Sequence, residues 1–174
     1  MSSTRLLPLL LLLMSLPSLP LSQLDHPTIP VVPGSCPVTK PADRPFLPPL
    51  PYKAKPSVGQ FWFGTDRLWT TLPVSGMWSG LPHYTPNDPT FRQKIAFWRQ
   101  GFDPHTEPRP NLTVTGRRVD APTIPLQSDG KGIGAWTRDD QFIGTGVNFP
   151  TTGCWEITAS YESDELTFVV WVAP

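Results

Sequence analysis

The segment Val147–Val172, VNFPTTGCWEITASYESDELTFVVWV, decides the fold class. Trp155, Ile157, Ala159 and Tyr161 alternate with Cys154, Glu156, Thr158 and Ser160, the period-two pattern of a half-buried strand. Glu162 to Glu165 is a polar break, after which Leu166, Phe168, Val170 and Val172 make a second apolar face. A turn centred on Ser163 and Asp164 sets Trp155 opposite Val172, Ile157 opposite Val170, Ala159 opposite Phe168 and Tyr161 opposite Leu166. All these pairs are apolar, which specifies the register. The segment therefore predicts a closing β-hairpin and an all-β fold. Cys154 and Trp171 fall on its other, more polar face, with Trp171 opposite Glu156. The hairpin names no reaction.

Upstream, short aromatic and β-branched runs continue the pattern. Gln60–Phe63 and Arg67–Leu72 read as two strands around a tight turn at Gly64–Asp66. Phe91–Arg99 fits a helical stripe through Phe91, Ile95 and Trp98 and a strand through Ile95 and Phe97; its β neighbours favour the strand. Leu112–Val119 is a further strand, with weaker ones at Gly132–Trp136 and Gln141–Val147. Strands about ten residues apart, punctuated by Gly and Pro, predict an antiparallel β-sandwich over residues 58–174.

Ten prolines fall between residues 23 and 56, a density that rules out helix and central strand. Residues 23–57 are expected to form an extended, Pro-rich arm. Residues 1–22 have the layout of a signal peptide: Arg5, a leucine run, then small residues and prolines up to Ser22. The leucine run is too short to span a bilayer, so the chain is expected outside the cytoplasm, secreted or periplasmic, with no stable membrane span. Removing that segment leaves 13 basic and 14 acidic residues. With no run of one charge, nucleic acid is not an expected partner.

Cys36 and Cys154 are the two cysteines. In an exported chain an even pair is read as one disulfide. Cys36 lies too far from the leucine run for lipid attachment. Neither cysteine has a histidine near it in sequence, which argues against a catalytic thiol. The bridge is expected to draw the arm over the outside of the last hairpin, with Val31, Val32 and Val38 covering Val169 and Trp171.

CPVTKP at Cys36–Pro41, WTTLP at Trp69–Pro73, FRQK at Phe91–Lys94, LTVTGRR at Leu112–Arg118, and FPTTGCWEI with LTFVVWV in the closing hairpin together resemble a family of uncharacterised exported bacterial proteins. The resemblance covers most of the chain after residue 22. It implies an exterior location and a bacterial source, and carries no chemistry. The closing hairpin is also similar to the last strands of immunoglobulin-like sandwiches, with Gly153-x-Trp155 in the place of Gly-x-Tyr. That likeness implies an immunoglobulin-like antiparallel β-sandwich, although Cys36 in a proline arm departs from the cysteine pattern of antibody domains. A fold likeness transfers no function.

Catalytic constellations are thin. His26, His83 and His105 lack metal-ligand spacing. His83 with Asp88, and Asp103, His105 and Glu107, lie in two polar loops; their convergence is what a hydrolase reading requires. Asp139–Asp140 and Asp164–Glu165 read as solvated turn acids rather than a glycosidase pair. No Gly-x-Ser-x-Gly elbow occurs. Gly130–Gly134, GKGIG, lacks Walker spacing and reads as a connection between strands. Asn111–Thr113 is a glycosylation sequon, unused if the source is bacterial.

Seven tryptophans are the remaining recognition signal. Flat rings with a polar N–H suit sugar or peptide contact, although large apolar residues are more often inside. Trp171, Trp78 and Trp98 are the ligand-binding candidates. The expectation is an exported, non-enzymatic β-sandwich with a structural or binding role, no cofactor and no bound metal, facing an extracellular protein or glycan. The alternatives are a carbohydrate- or peptide-binding module using exposed tryptophan, and a secreted hydrolase with a His/Asp loop site.

Overall fold

The computed structural model describes residues 30–52, 56–83, 85–138 and 140–173; the expected signal segment and His26 lie outside them. Ten strands are assigned among the described residues: β1 (Gln60–Gly64), β2 (Trp69–Pro73), β3 (Met77–Trp78), β4 (Phe91–Trp98), β5 (Leu112–Arg118), β6 (Gln127–Ser128), β7 (Ile133–Thr137), β8 (Asp140–Phe149), β9 (Gly153–Tyr161) and β10 (Asp164–Val172). They form two sheets. One has the order β1-β2-β4-β8-β6, with β7 also pairing β8; the other has the order β3-β10-β9-β5. Every pairing is antiparallel except β3 with β10, which is parallel. The fold is an all-β sandwich, and its strands fall where the aromatic and β-branched runs lie.

The core lies between the sheets, filled by alternate residues of each strand. Ile95 and Phe97 from β4, and Ile143, Val147 and Phe149 from β8, meet Trp155, Ile157, Phe168 and Val170 from the closing hairpin. One side of the sandwich is stitched shut, since Leu126 N–H donates to Gly116 O at 3.1 Å and Gly132 N–H donates to Leu112 O at 3.0 Å.

The closing hairpin differs from expectation by two residues of register. Trp155 pairs with Val170, Ile157 with Phe168 and Ala159 with Leu166, and Trp171 faces Cys154 rather than Glu156. The turn is the two-residue Glu162–Ser163 link, with Glu162 in the left-handed region at φ 53°. A shift of two leaves each side chain on its own face, so Trp155 and its alternates still face the core and Cys154 still faces out.

Cys36 and Cys154 are disulfide-bonded, with Cα atoms 5.6 Å apart. The bridge leaves β9 on the outer face of the smaller sheet, the face that also carries Glu156, Thr158 and Ser160, and not between the sheets. From it the arm runs along the free edge of β10, where Thr39 N–H donates to Val169 O at 2.9 Å and Thr39 Oγ1 accepts from Val169 N–H at 2.8 Å. Val38 packs on Gly76, where a Cβ would meet its side chain at 2.5 Å. Val31, expected to cover Val169, is 79% exposed, because Thr39 and not the segment before Cys36 borders that residue.

The arm then reaches the outer face of the larger sheet. Trp62, Trp69 and Trp98 make a second apolar cluster there, packed against Phe46 and Tyr52 of the arm. The Tyr52 ring stands edge-on to Trp69 at 4.9 Å, and its hydroxyl donates to Arg99 O at 2.6 Å. Burial raises the Tyr52 pKa, so the hydroxyl keeps the proton it donates.

Candidate functional site

The structure separates the three candidate tryptophans. Trp78 lies in the core between Phe149 and Phe168. Trp98 lies beneath the arm cluster and donates from Nε1 to Asp140 Oδ1 at 3.0 Å. Trp171 is half-buried beside the disulfide. The tryptophan that does face solvent is Trp136, 59% exposed, with the His105 ring 5.0 Å away. Sequence reasoning did not single it out.

The two polar loops do not converge. His83 bridges to Phe91, which pairs with Phe149 of β8. His105 stacks on Trp136, which pairs with Gln141 of β8. Eight residues of extended strand separate these positions, about 26 Å at 3.3 Å per residue. Each loop has its own set of partners. His83 Nδ1 lies 2.9 Å from Thr90 O. The Thr90 hydroxyl and N–H both donate to Asp88 and hold its carboxyl below the usual carboxylate range. In the other loop, Glu107 accepts from the Tyr161 hydroxyl and from Arg99 Nη2. Burial, reinforced by that carboxylate, pushes the Tyr161 phenol up to about 12. Burial opposes the charge on Arg99, and the Glu107 hydrogen bond together with the nearby acidic groups Tyr161, Glu107 and Glu162 outweighs that penalty and raises its pKa. The Arg99 guanidinium also stacks 4.9 Å from the Tyr161 ring. This network clamps the end of β4 to β9.

The GKGIG run connects β6 to β7, and two of its glycines permit close approach. A Cβ on Gly132 would meet Ile143 Cγ2 at 2.5 Å, and one on Gly134 would meet Glu107 O at 2.9 Å. At the start of β9, Gly153 has φ 138°, and a Cβ there would strike Arg118 at 2.4 Å. Arg118 is paired with Asp120, and that pairing lowers the Asp120 pKa.

The feature with the geometry of a binding site is a groove of about 330 Å³ on the outer face of β4, β8 and β7. Strand parity builds it. Ile143, Thr145 and Val147 of β8 point inward, so Phe142, Gly144 and Gly146 point out. Register sets Ala96 beside Gly144, Lys94 beside Gly146 and Ile133 on the other side of Gly144. The floor is thus two glycines and an alanine, and the walls are Phe142, Ala135 and Ile133. One end is closed by the Arg92–Asp129 ion pair, which lies directly over Gly146. Lys94, Arg109 and Lys131 stand on the rim, and among the described residues none of the three makes an ion pair. The volume is at the lower end of the range for small-molecule sites.

A hint of this groove lies in GTG at Gly144–Gly146: two glycines two apart in a strand leave one face bare. The rim is harder to anticipate, because its cations come from β4, the loop before β5 and the β6–β7 link. No protein-family model, curated protein or solved structure matches the chain.

Proposed function

We propose that this is an exported, non-enzymatic β-sandwich that acts by binding at the cell exterior, and that the groove over Gly144 is its contact surface. The observation that carries the reading is the groove itself: a concave apolar floor ringed by three cations without ionic partners among the described residues, on the part of the outer face beside the arm's own contact. Export is supported by the signal-like start of the chain and by the disulfide, which belongs to oxidising compartments. The same signal layout and the resemblance in the closing hairpin favour a secreted or periplasmic location. The His83 and His105 loops meet β8 at positions eight residues apart, which lends the hydrolase alternative no support.

A second reading has its own observation. Trp136 with His105 offers an exposed aromatic pair of the kind that stacks on a sugar ring. An NMR screen of the chain from residue 23, with a panel of chemically diverse small fragments, separates the two. Hits that shift the amides of Ile133, Ala135, Phe142 and Gly144 support the groove. Hits confined to the Trp136 indole and His105 favour the second reading, and shifts scattered over the surface contradict both.

A further inference from the structure

Gly144 has no structural reason to be glycine. Its backbone is ordinary extended strand, outside the positive-φ glycines of this chain. A Cβ added there would lie 3.8 Å from its nearest neighbours, Ile133 O and Phe142 Cε2, which is normal van der Waals contact. Glycine inside a strand costs about 0.5–1 kcal/mol relative to alanine, and β-branched residues suit a strand better still. Gly146 is different, because a Cβ there would collide with the Arg92 guanidinium and the Asp129 carboxylate. Gly144 therefore holds open a space that a Cβ would enter without a clash, and that space is the middle of the groove.

The surroundings specify what fits the space. The floor is side-chain-free sheet and the walls, Ile133 and Phe142, are apolar, so the slot matches a flat apolar body. Its volume of about 330 Å³ equals roughly eleven waters at about 30 Å³ each, enough for two fused rings. The rim supplies the charge. Ion pairs occupy Arg67, Arg99, Arg117 and Arg118 elsewhere on the molecule, and Arg92 at the closed end of the groove. Lys94, Arg109 and Lys131 instead gather around one opening where Asp129, already bound to Arg92, is the sole lining acid. Three cations facing an apolar slot attract a group that is anionic and leaves its apolar part buried.

Resting on the groove being the binding surface, we infer that Gly144 forms the floor of a site for a small organic anion, a flat apolar ring system bearing one sulfonate, carboxylate or phosphate ester held by Lys94, Arg109 and Lys131. The anion sits at the rim, where the cations remain hydrated enough to exchange, and the ring lies on Gly144 and Ala96 between Phe142 and Ile133.

The test uses a matched pair, naphthalene-2-sulfonate and the neutral naphthalene-2-sulfonamide, titrated into the chain from residue 23 and followed by amide shifts. The sulfonate is expected to bind about ten-fold more tightly, the increment of one charge-assisted contact, and to weaken as salt rises. Replacing Arg109 and Lys131 together by alanine should bring the sulfonate down to the affinity of the sulfonamide. Gly144→Val should abolish binding of both while melting at or above the wild-type temperature, which separates a filled slot from a damaged fold. Equal affinity of the pair at groove amides overturns the anion assignment and leaves the groove reading standing. Shifts by neither compound at those amides, after fragments of other chemistry have shifted them, also overturn it. Tighter binding of glucuronate, an acidic sugar, than of the sulfonate overturns the flat apolar body. If no fragment of any class shifts the groove, the groove reading itself fails.

Discussion

Replacing Cys36 and Cys154 together by serine opens a loop whose ends are 118 residues apart. The chain-entropy relation for a loop of that length gives about 16 cal/mol/K, or about 4.9 kcal/mol at 25 °C. This is an upper value, since a denatured chain that keeps residual structure loses less on cross-linking. For a chain of this size each kcal/mol moves the melting temperature by about 2–4 °C, so a fall of about 10–20 °C is expected. The loss should be local before it is global. The main core contains no residue of the arm, and the arm is otherwise held by Thr39 on Val169 and by Phe46 and Tyr52 on Trp69. Limited proteolysis should therefore cut residues 30–52 faster while the β circular dichroism persists below the new melting temperature. Trp69, fully buried beneath Phe46 and Tyr52, should report the loosened arm by a red-shifted fluorescence component. The reasoning fails if cutting in the arm does not increase, if the melting temperature moves by less than about 2 °C, or if the sandwich unfolds with the arm.

Three further outcomes follow from the same structure. Tyr52→Ala removes the edge-on contact with Trp69 and the hydrogen bond to Arg99 O, a loss of about 2 kcal/mol; urea unfolding should show that loss, and Tyr52→Phe should recover the aromatic part of it. The Tyr161 phenol, raised to about 12 in the folded chain, stays protonated at a pH where an unfolded tyrosine, near 10, has ionised. Its contribution is thus complete below pH 10 and lost as pH rises toward 12; alkaline unfolding should be steeper in wild type than in Tyr161→Phe, and identical profiles would remove Tyr161 from the account. Gly153→Ala places a Cβ against Arg118 at a φ that L side chains rarely adopt, so it should lower the melting temperature far more than Gly144→Ala, where the space is open; equal effects in a thermal melt would contradict the packing described for the two positions.

The contrast between what the sequence reveals and what it hides has physical causes. Strand faces are legible because period-two alternation survives any even slip, and Trp155 faces the core under either register. The register itself is not, because Trp155, Ile157 and Ala159 meet apolar partners in both alignments and only Tyr161 differs, facing Asp164 in the observed one. The turn chemistry gives no signal either: a two-residue turn with a left-handed first position favours Asn or Gly, and Glu162 is neither. Two-residue strands such as β3 and β6 are too short to carry a period. Trp62, Trp69 and Trp98 sit on the outer face of their sheet and would be solvent-exposed by parity alone; Phe46 and Tyr52, ten or more residues earlier in the chain, pack on the cluster. Trp136 stays 59% exposed, with only the His105 ring stacked against it among the described residues. The disulfide is legible from two cysteines behind a signal-like leucine run, and its place outside the core follows from the parity of Cys154.

The most direct test of the groove as the working surface is made in cells that produce the protein. Ile133, half-exposed on the groove wall, is replaced by the photo-crosslinker p-benzoylphenylalanine. Thr167, exposed on the outside of the opposite sheet, is replaced likewise as a control. After irradiation the intact mass of the recovered protein is measured. The account predicts a discrete added mass on the Ile133 variant, absent from the Thr167 variant and lost when Gly144→Val is combined with it. Adducts of equal yield at both positions, or none at Ile133, would contradict it.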